Sequence, residues 1–387
     1  MDRVRKLFLL LFSLVIGIAL ISVPYSGSAA NKVLKIGSVA PETGDSADLG
    51  QAQRRGIQMA CDEINEQGWA GDWKLEPHFE DDEGNPTKAA SVTNKLIQET
   101  KVPVIIGAIN SSCTLAAMVH TERAGIPQIT SGSTGASITA QGNKWIFRTA
   151  VNDSHQAIAL IDYAINRLNL KKVSTFTAAD DYGQSGAVLL KAAADKAGLE
   201  VVVEATYNTG DKDFKPQLLL MKERGTEAIF MWGIYVEPAL IGNQARLLGM
   251  DCQLFAASGS ASHKLIELGG EALQGMILTQ SFLPESDIPR VKSFIDNYNK
   301  RFGEDPIPHA AQPYDSVYII ADAVRRIDTT DPVKLRDAIA NTSGLELVTG
   351  SPRFAANGDD VGKRVLITEI RGDAFRLVEI AAVELSD

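Results

Sequence analysis

The sequence predicts an α/β fold made of two doubly wound lobes, each built on a mainly parallel sheet. Short runs of β-branched residues alternate with longer segments of helical period along the 387 residues, a length that suggests two domains. Runs such as Val104-Ile105-Ile106 show no polar alternation, which is typical of strands covered on both faces. The alternation restarts near residue 172. Two successive units of this kind indicate two open, doubly wound sheets.

The first unit is predicted to contain four strands separated by helices. The strands are predicted at residues 33–39, 74–79, 103–106 and 127–130. Ile57, Ala60, Cys61 and Ile64 recur on one face of a helix. Two further helices are predicted at residues 86–99 and 114–124.

The second unit repeats this order, and a tail of mixed elements follows it. Its strands are predicted at residues 172–177, 200–205, 228–232 and 253–256. Its helices are predicted at residues 181–197, 214–224, 238–248 and 263–268. Beyond residue 281 we expect helices at 289–302 and 313–327, then strands at 364–370 and 375–380, which must dock on one of the two units.

The first thirty residues have the pattern of a cleavable signal peptide. Arg3, Arg5 and Lys6 form a positive start, residues 7–23 carry no charge, and Ser28-Ala29-Ala30 supplies small residues for cleavage. A membrane anchor is the alternative, because seventeen residues are at the short limit for spanning a bilayer. We expect an exported, soluble mature protein of residues 31–387.

Composition argues against several classes of function. A net charge of −10 would repel nucleic acid. Three cysteines allow at most one disulfide, and neither they nor the five histidines have metal-site spacing. The motifs GxSxG, HExxH and GxGxxG are absent, and residues 358–364 resemble a phosphate loop only superficially. We therefore expect no catalytic residues, metal or cofactor.

Two clusters of hydroxyl residues and glycine instead follow neighbouring strands. Residues 111–114 follow the strand ending near Gly107, and residues 131–134 follow the strand ending near Thr130. Open α/β sheets place ligands at the carboxyl ends of their strands. Both clusters are expected at helix starts, and the free N–H groups at the first of these can bind a carboxylate. Helix capping is the alternative for either cluster, but two clusters in successive units favour a binding site.

An ordered set of motifs resembles the solute-binding proteins of branched-chain amino acid ABC transporters, of the leucine/isoleucine/valine-binding type. The motifs cover nearly the whole mature chain and lie at residues 34–37, 56–65, 80–82, 104–107, 126–127, 147–149, 181–186 and 269–275. The resemblance implies a type 1 periplasmic binding protein, with two lobes joined by a three-crossover hinge. Lobe 1 would comprise residues 31–150 and 282–362, and lobe 2 residues 151–281 and 363–387.

The resemblance also implies a set of ligand contacts. Ser111 matches the serine that holds the ligand carboxylate, and Gly132 and Thr134 match the pair that contacts carboxylate and ammonium. Tyr182 and Tyr235 match aromatic residues that face the cleft. The expected contact set is completed by Leu49, Asn110, Ser133 and Ser258.

Two of these positions depart from the amino-acid pattern. Ser258 stands where the family has an acidic residue for the ammonium, and Leu49 stands where it has an aromatic one. Carboxylate recognition is retained, whereas ammonium recognition would need another acid such as Glu42 or Glu237.

The expected function is that of a monomeric periplasmic protein delivering a small carboxylate-bearing solute to the membrane permease of an ABC importer. A branched-chain or other uncharged amino acid is the first expectation. An aromatic or short aliphatic organic acid and a ligand-presenting sensor subunit are the alternatives, since fold alone does not separate import from sensing. A periplasmic amidase or esterase is disfavoured, because no nucleophile has an evident base.

Overall fold

The computed structural model describes residues 32–383, and the predicted signal peptide lies outside them. The strands are β1 Lys32–Ala40, β2 Trp73–Asp81, β3 Ile105–Gly107, β4 Gln128–Thr130, β5 Ile146–Arg148, β6 Lys172–Ala178, β7 Glu200–Tyr207, β8 Ala228–Trp232, β9 Gln253–Ala256, β10 Ile277–Gln280, β11 Leu366–Arg371 and β12 Ala374–Ile380. The helices are α1 Ala47–Gln67, α2 Pro86–Lys95, α3 Ser111–Ala124, α4 Ser137–Ala140, α5 Asp153–Asn166, α6 Asp181–Ala197, α7 Lys215–Glu223, α8 Val236–Leu247, α9 His263–Gly269, α10 Pro289–Phe302, α11 Pro308–Ile327 and α12 Pro332–Ala340.

These strands form two sheets, as the sequence predicts. The first has five strands in the order β2-β1-β3-β4-β5, and the second has seven in the order β12-β11-β10-β9-β8-β6-β7. The pairs β1–β3, β3–β4 and β4–β5 are parallel, as are those linking β6 to β7 and β8, β8 to β9 and β9 to β10. The α/β fold class with two mainly parallel sheets is confirmed.

The tail docks on both sheets. Helix α11 packs along α1, beside the first sheet. Strands β11 and β12 add antiparallel to the edge of the second sheet at β10. The chain therefore passes between the sheets three times: after β5, after β10 and before β11. The exact lobe boundaries stay a prediction.

The core strands are short and apolar because both faces are covered. All three residues of β3 and all five of β8 are buried. Neither strand shows a polar alternation, as expected for strands that are covered on both faces. Cys61, Cys113 and Cys252 are buried with free thiols. In the part of the chain from 32 to 383, no helix is long and apolar enough to cross a membrane.

Some elements differ from the expected ones. Strands β5 and β10 and helices α5 and α12 were not predicted. Helix α11 begins at Pro308 rather than Pro313, which lies inside it. The second hydroxyl cluster does not open a helix, because residues 131–134 form a loop and the four-residue α4 begins only at Ser137.

Candidate functional site

Two adjoining cavities lie where β3 and β4 end. The strand-end cavity is lined by Leu49, Ile109, Asn110, Ser111, Gly132, Thr134, Asp180, Tyr182, Ile234, Gly259 and His309. The crossover cavity borders two of the passages between the sheets, and it is lined by Gly132, Thr134, Ala150, Val151, Gln156, Ser258, Gln280, Ser281, Pro308, His309 and Gln312. Gly132, Thr134 and His309 line both, so the two cavities adjoin.

The start of α3 forms one wall of the strand-end cavity. Asn110 is the N-cap residue, but its side chain makes no capping bond; it donates to Ser46 Oγ at 3.1 Å instead. Ser111 is the first residue of the helix and is buried, and its hydroxyl accepts a hydrogen bond from the Gly135 amide at 3.3 Å. A hydroxyl and the positive end of a 14-residue helix thus meet beside the cavity.

The backbone of Thr134 is fixed by a buried cation. The Arg148 guanidinium donates to the carbonyls of Thr134 at 2.9 Å and Gly135 at 2.7 Å, and forms an ion pair with Asp359 at 2.6 Å. The Asp153 amide also donates to the Thr134 carbonyl, at 2.9 Å. Thr134 lines both cavities, and its hydroxyl lies beside the Asp153 carboxyl.

Two glycines bring the backbone close to the cavities. A Cβ atom at Gly132 would lie 2.6 Å from Ile109 Cδ1, and one at Gly259 would lie 2.7 Å from the Tyr182 ring. The Tyr182 hydroxyl accepts a hydrogen bond from the Gly259 amide at 3.1 Å. No larger residue fits at either position without displacing the cavity wall.

Ser258 and Leu49 lie in different cavities. Ser258 lines the crossover cavity, and its amide donates to Gln156 Oε1 at 3.0 Å. Leu49 is fully buried and lines the strand-end cavity. The aliphatic side chain of Leu49 therefore limits the space for a ligand at the position where the resemblance implies an aromatic ring.

Ser133 and Tyr235 line neither cavity. The Ser133 hydroxyl points into the loop, where it donates to the Ile109 carbonyl at 2.8 Å and lies 2.7 Å from Thr114 Oγ1. The Tyr235 hydroxyl instead accepts from the Asp48 amide at 3.4 Å, which links α8 to α1. Both residues stabilise the surroundings of the cavities rather than their walls.

Several lining residues were missed by sequence reasoning. They are Gln156, Asp180, Gln280, His309 and Gln312. They come from four distant segments, and amides or single histidines carry no spacing signal. Asp180 alone carried a recognisable sequence signal, because an Asp before a helical pattern is a common N-cap. Its carboxylate accepts a hydrogen bond from the Gly183 amide at 2.8 Å.

Negative charge is confined to one side of the site. Within the described chain, no Lys or Arg side chain lines either cavity, and Asp180 is the one acidic lining residue. Burial raises the pKa of Asp180. Asn110, Asp180 and Ile234 also line a neighbouring acidic cavity, whose other acidic residues are Asp45, Glu83 and Glu237.

The two glutamates considered as amine partners have other roles. Glu42 forms an ion pair with Arg54 at 2.8 Å. Glu237 is buried in the wall of the acidic cavity and accepts from the Gly210 amide at 2.8 Å. Neither lines the cavities that contain Ser111 and Ser258.

Hydrogen bonds join the two sides of the cleft. Asp48 on α1 accepts from the Ser262 hydroxyl at 2.5 Å, and the Ala136 amide donates to Ser185 Oγ on α6 at 3.2 Å. The cavities are therefore enclosed between elements of the first sheet and elements of the second.

The donors of this site suit a carboxylate. Neutral hydroxyls, amides and a helix start bind an anion without a cationic side chain. Among residues 32–383, no group of three His, Cys, Asp or Glu side chains is placed to hold a metal ion.

The chain matches known proteins over most of its length. A family model described as periplasmic binding protein matches residues 33–374. A leucine-, isoleucine-, valine-, threonine- and alanine-binding protein of Pseudomonas aeruginosa is 31% identical over 353 residues, which are 91% of this chain and 93% of that protein. A solved leucine-binding protein from Thermotoga maritima superposes with a TM-score of 0.85 at 29% identity, covering 90% of this chain and 98% of the other.

A second solved structure gives the same result. The substrate-binding protein of a branched-chain amino acid transporter from Streptococcus pneumoniae, in complex with isoleucine, has a TM-score of 0.84 at 29% identity, covering 90% of this chain and 99% of that one. With matches of this extent, the chain belongs to the periplasmic binding protein family.

Proposed function

We propose that this protein is the solute-binding component of an ABC importer, and that it captures a small carboxylate-bearing solute between its two sheets. The observation that carries the proposal is the strand-end cavity, which Ser111 at the start of α3 lines together with Thr134. Neutral donors at a helix start bind a carboxylate reversibly. The solute would be released unchanged to a membrane permease.

An uncharged amino acid is the first candidate for the solute. The Pseudomonas aeruginosa relative is named for five uncharged amino acids, and the Streptococcus pneumoniae structure holds isoleucine. Under this proposal Ser111, Gly132 and Thr134 bind the carboxylate, with Asn110, Tyr182 and Leu49 closing the cavity around it.

An organic acid without an amine is the second candidate. A buried ammonium needs a carboxylate or several acceptors, because an unpaired buried charge is costly. Ser258 supplies only a neutral oxygen, and no acidic side chain in the described chain lines the crossover cavity. A short aliphatic or aromatic acid would need no such partner.

The proposal also covers the location, the oligomeric state and the lobe boundaries of the protein. We propose that the protein works in the periplasm after removal of residues 1–30, and that it acts as a monomer. The lobes would comprise residues 31–150 with 282–362 and residues 151–281 with 363–387.

A thermal-shift screen of amino acids against aliphatic and aromatic acids tests the proposal. A ligand at about 100 times its Kd adds about 2.7 kcal/mol to the free energy of unfolding, which is a measurable shift in Tm. We expect carboxylates to raise the Tm and the matching primary amides to have no effect. Stabilisation by amides as strong as by acids, or chemical turnover of a bound ligand, would contradict the proposal.

A further inference from the structure

His309 is a buried histidine without a hydrogen-bond partner at the junction of the two cavities. It is the second residue of α11, it is 3% exposed, and it lines both cavities. Neither of its ring nitrogens bonds to any residue from 32 to 383, and Nδ1 is fully buried. Buried polar groups are normally paired, so an unpaired one at a cavity wall points to a ligand partner.

The crossover cavity beside His309 carries no formal charge. Burial lowers the pKa of His309 to about 4, so the imidazole is neutral at physiological pH. None of the other lining residues is acidic or basic. An ionised group of the solute would therefore have no counter-charge here, and its burial would oppose binding.

The neighbouring amides are held through their side-chain nitrogens: Gln312 Nε2 has two acceptors, one of them the Thr149 carbonyl at 3.3 Å, whereas Gln280 Nε2 keeps one N–H group free within the described chain. Gln312 Nε2 donates to Ser281 Oγ at 2.8 Å, and Gln280 Nε2 donates to Thr368 Oγ1 at 3.0 Å. The Oε1 atoms of both glutamines accept no hydrogen bond from any other described residue. An alkyl group would leave the imidazole and these oxygens unpaired, which disfavours it.

We propose that the crossover cavity binds an uncharged hydrogen-bonding group of the solute, a hydroxyl or a carboxamide, and that His309 is the specificity-determining residue. The neutral imidazole offers one donor and one acceptor, which together match such a group. This inference rests on the proposed function, since it concerns the part of the solute remote from the carboxylate held at Ser111.

Matched pairs of ligands test the inference. Threonine and valine are close in shape and differ by a hydroxyl, as asparagine and leucine differ by an amide; 3-hydroxybutanoate with 3-methylbutanoate and succinamate with 4-methylpentanoate repeat both comparisons without the amine. Calorimetry should show the polar member binding at least about tenfold tighter in one or both kinds of pair, because a site built for hydrogen bonds rejects the analogue that lacks them. The amine-free pairs keep this comparison independent of ammonium recognition.

Variants assign the preference to His309. We expect His309→Phe and His309→Ala to reduce the polar preference to within about threefold of unity, and His309→Gln to retain it. Two disrupting variants are used so that a folding defect in one does not remove the test. His120→Phe is the matched control, since His120 lies on α3 and lines none of the three cavities.

The outcomes separate this inference from the proposed function. Tighter binding of valine and leucine than of their polar partners, or a polar preference that survives in both His309→Phe and His309→Ala, overturns the inference while leaving carboxylate binding intact. Absence of binding by all eight probes overturns the inference, and the proposed function falls with it only if the other amino acids and the aromatic acids of the thermal-shift screen also fail to bind.

Discussion

Ser111 shows at the scale of one residue what sequence can and cannot reveal about this site. Its place after an apolar strand was sufficient to predict a cavity wall, because strand ends of parallel sheets meet at one edge. Its partner was not predictable, since the Gly135 amide comes from a loop 24 residues away. The N-cap is Asn110, so Ser111 does not have the capping role that was the alternative.

We expect Ser111→Ala to weaken binding of carboxylate ligands by about 1.5–3 kcal/mol, the usual worth of a hydrogen bond to a charged group. The fold should survive, because the change removes one neutral hydrogen bond and no cap. Calorimetry with the tightest acid from the screen measures the effect, and Ser91→Ala on α2 is the control, since Ser91 is exposed and lines none of the three cavities. Unchanged affinity would remove Ser111 from the site.

Ser258 allows a second substitution with opposite effects on two ligands. Because Ser258 lines a cavity without charge, Ser258→Glu would supply a carboxylate for an ammonium and repel a simple acid. We expect the variant to improve the affinity for leucine relative to 4-methylpentanoate. Titration of both ligands into both proteins checks this, and an equal preference in wild type and variant would show that residue 258 does not face the solute.

At the scale of elements, α5 carries a buried acid in its first turn. Asp153 is fully buried, and its Oδ2 atom has no hydrogen-bond partner. Burial raises its pKa to about 7, opposed by the neighbouring Thr134 hydroxyl and the Arg148 charge. The folded protein therefore holds the Asp153 proton more tightly than the unfolded chain, where the pKa is about 3.9.

The tighter binding of the Asp153 proton stabilises the folded protein; this contribution is fully present below about pH 4 and is lost as the pH rises through about 7. Asp153→Asn removes the titrating group, so the free energy of unfolding of the variant relative to wild type should increase by on the order of 3 kcal/mol between pH 4 and pH 8. Denaturant unfolding at several pH values measures the difference. A difference that does not change with pH would show that Asp153 ionises normally.

The elements that sequence predicted well are those with a strong period. Helix α10, at Pro289–Phe302, was predicted with the same bounds because its apolar residues lie on one face and a proline begins it. Strand β5 has only three residues, too few to show a period. Helix α11 was misplaced because Pro313 was taken as its start, although Pro308 begins it and the interior proline is tolerated in a buried helix.

The residues that line the cavities were predictable only where the strand or helix that carries them was predicted. Ser111, Gly132 and Thr134 follow strand ends and line the strand-end cavity, and their contact with a ligand stays a prediction. Gln312 and His309 belong to the misplaced first turns of α11, and they reach the site only because that helix packs on α1. Such residues are brought in by tertiary structure, which no local pattern encodes.

At the scale of the whole molecule, the cleft lies between two sheets, and three segments of the described chain connect these sheets. The bonds from Ser262 to Asp48 and from Ala136 to Ser185 hold the two sides together across it. Separation of the two sides requires these bonds to break. Hinge closure around a ligand is the motion expected of this family.

We expect a saturating ligand to reduce the radius of gyration measured by solution scattering, because the ligand stabilises the closed arrangement. Ser262→Ala removes one closing bond and should raise the radius of the ligand-free protein or leave it unchanged, but not lower it. Identical scattering with and without ligand would argue against closure and would leave the fold assignment intact.

The acidic cavity affects how fast a solute arrives as well as how tightly it is held. Asp45, Glu83, Asp180 and Glu237 surround it, it adjoins the strand-end cavity, and the chain carries a net charge of −10. This field slows the approach of an anion, and dissolved salt shortens its range to about 8–10 Å at 0.1–0.15 M ionic strength. In stopped-flow measurements, the association rate constant of 4-methylpentanoate should therefore rise with added salt, roughly two- to fivefold from 10 to 200 mM. That of zwitterionic leucine should stay nearly constant, so ionic strength sets which solute is captured first when both are scarce.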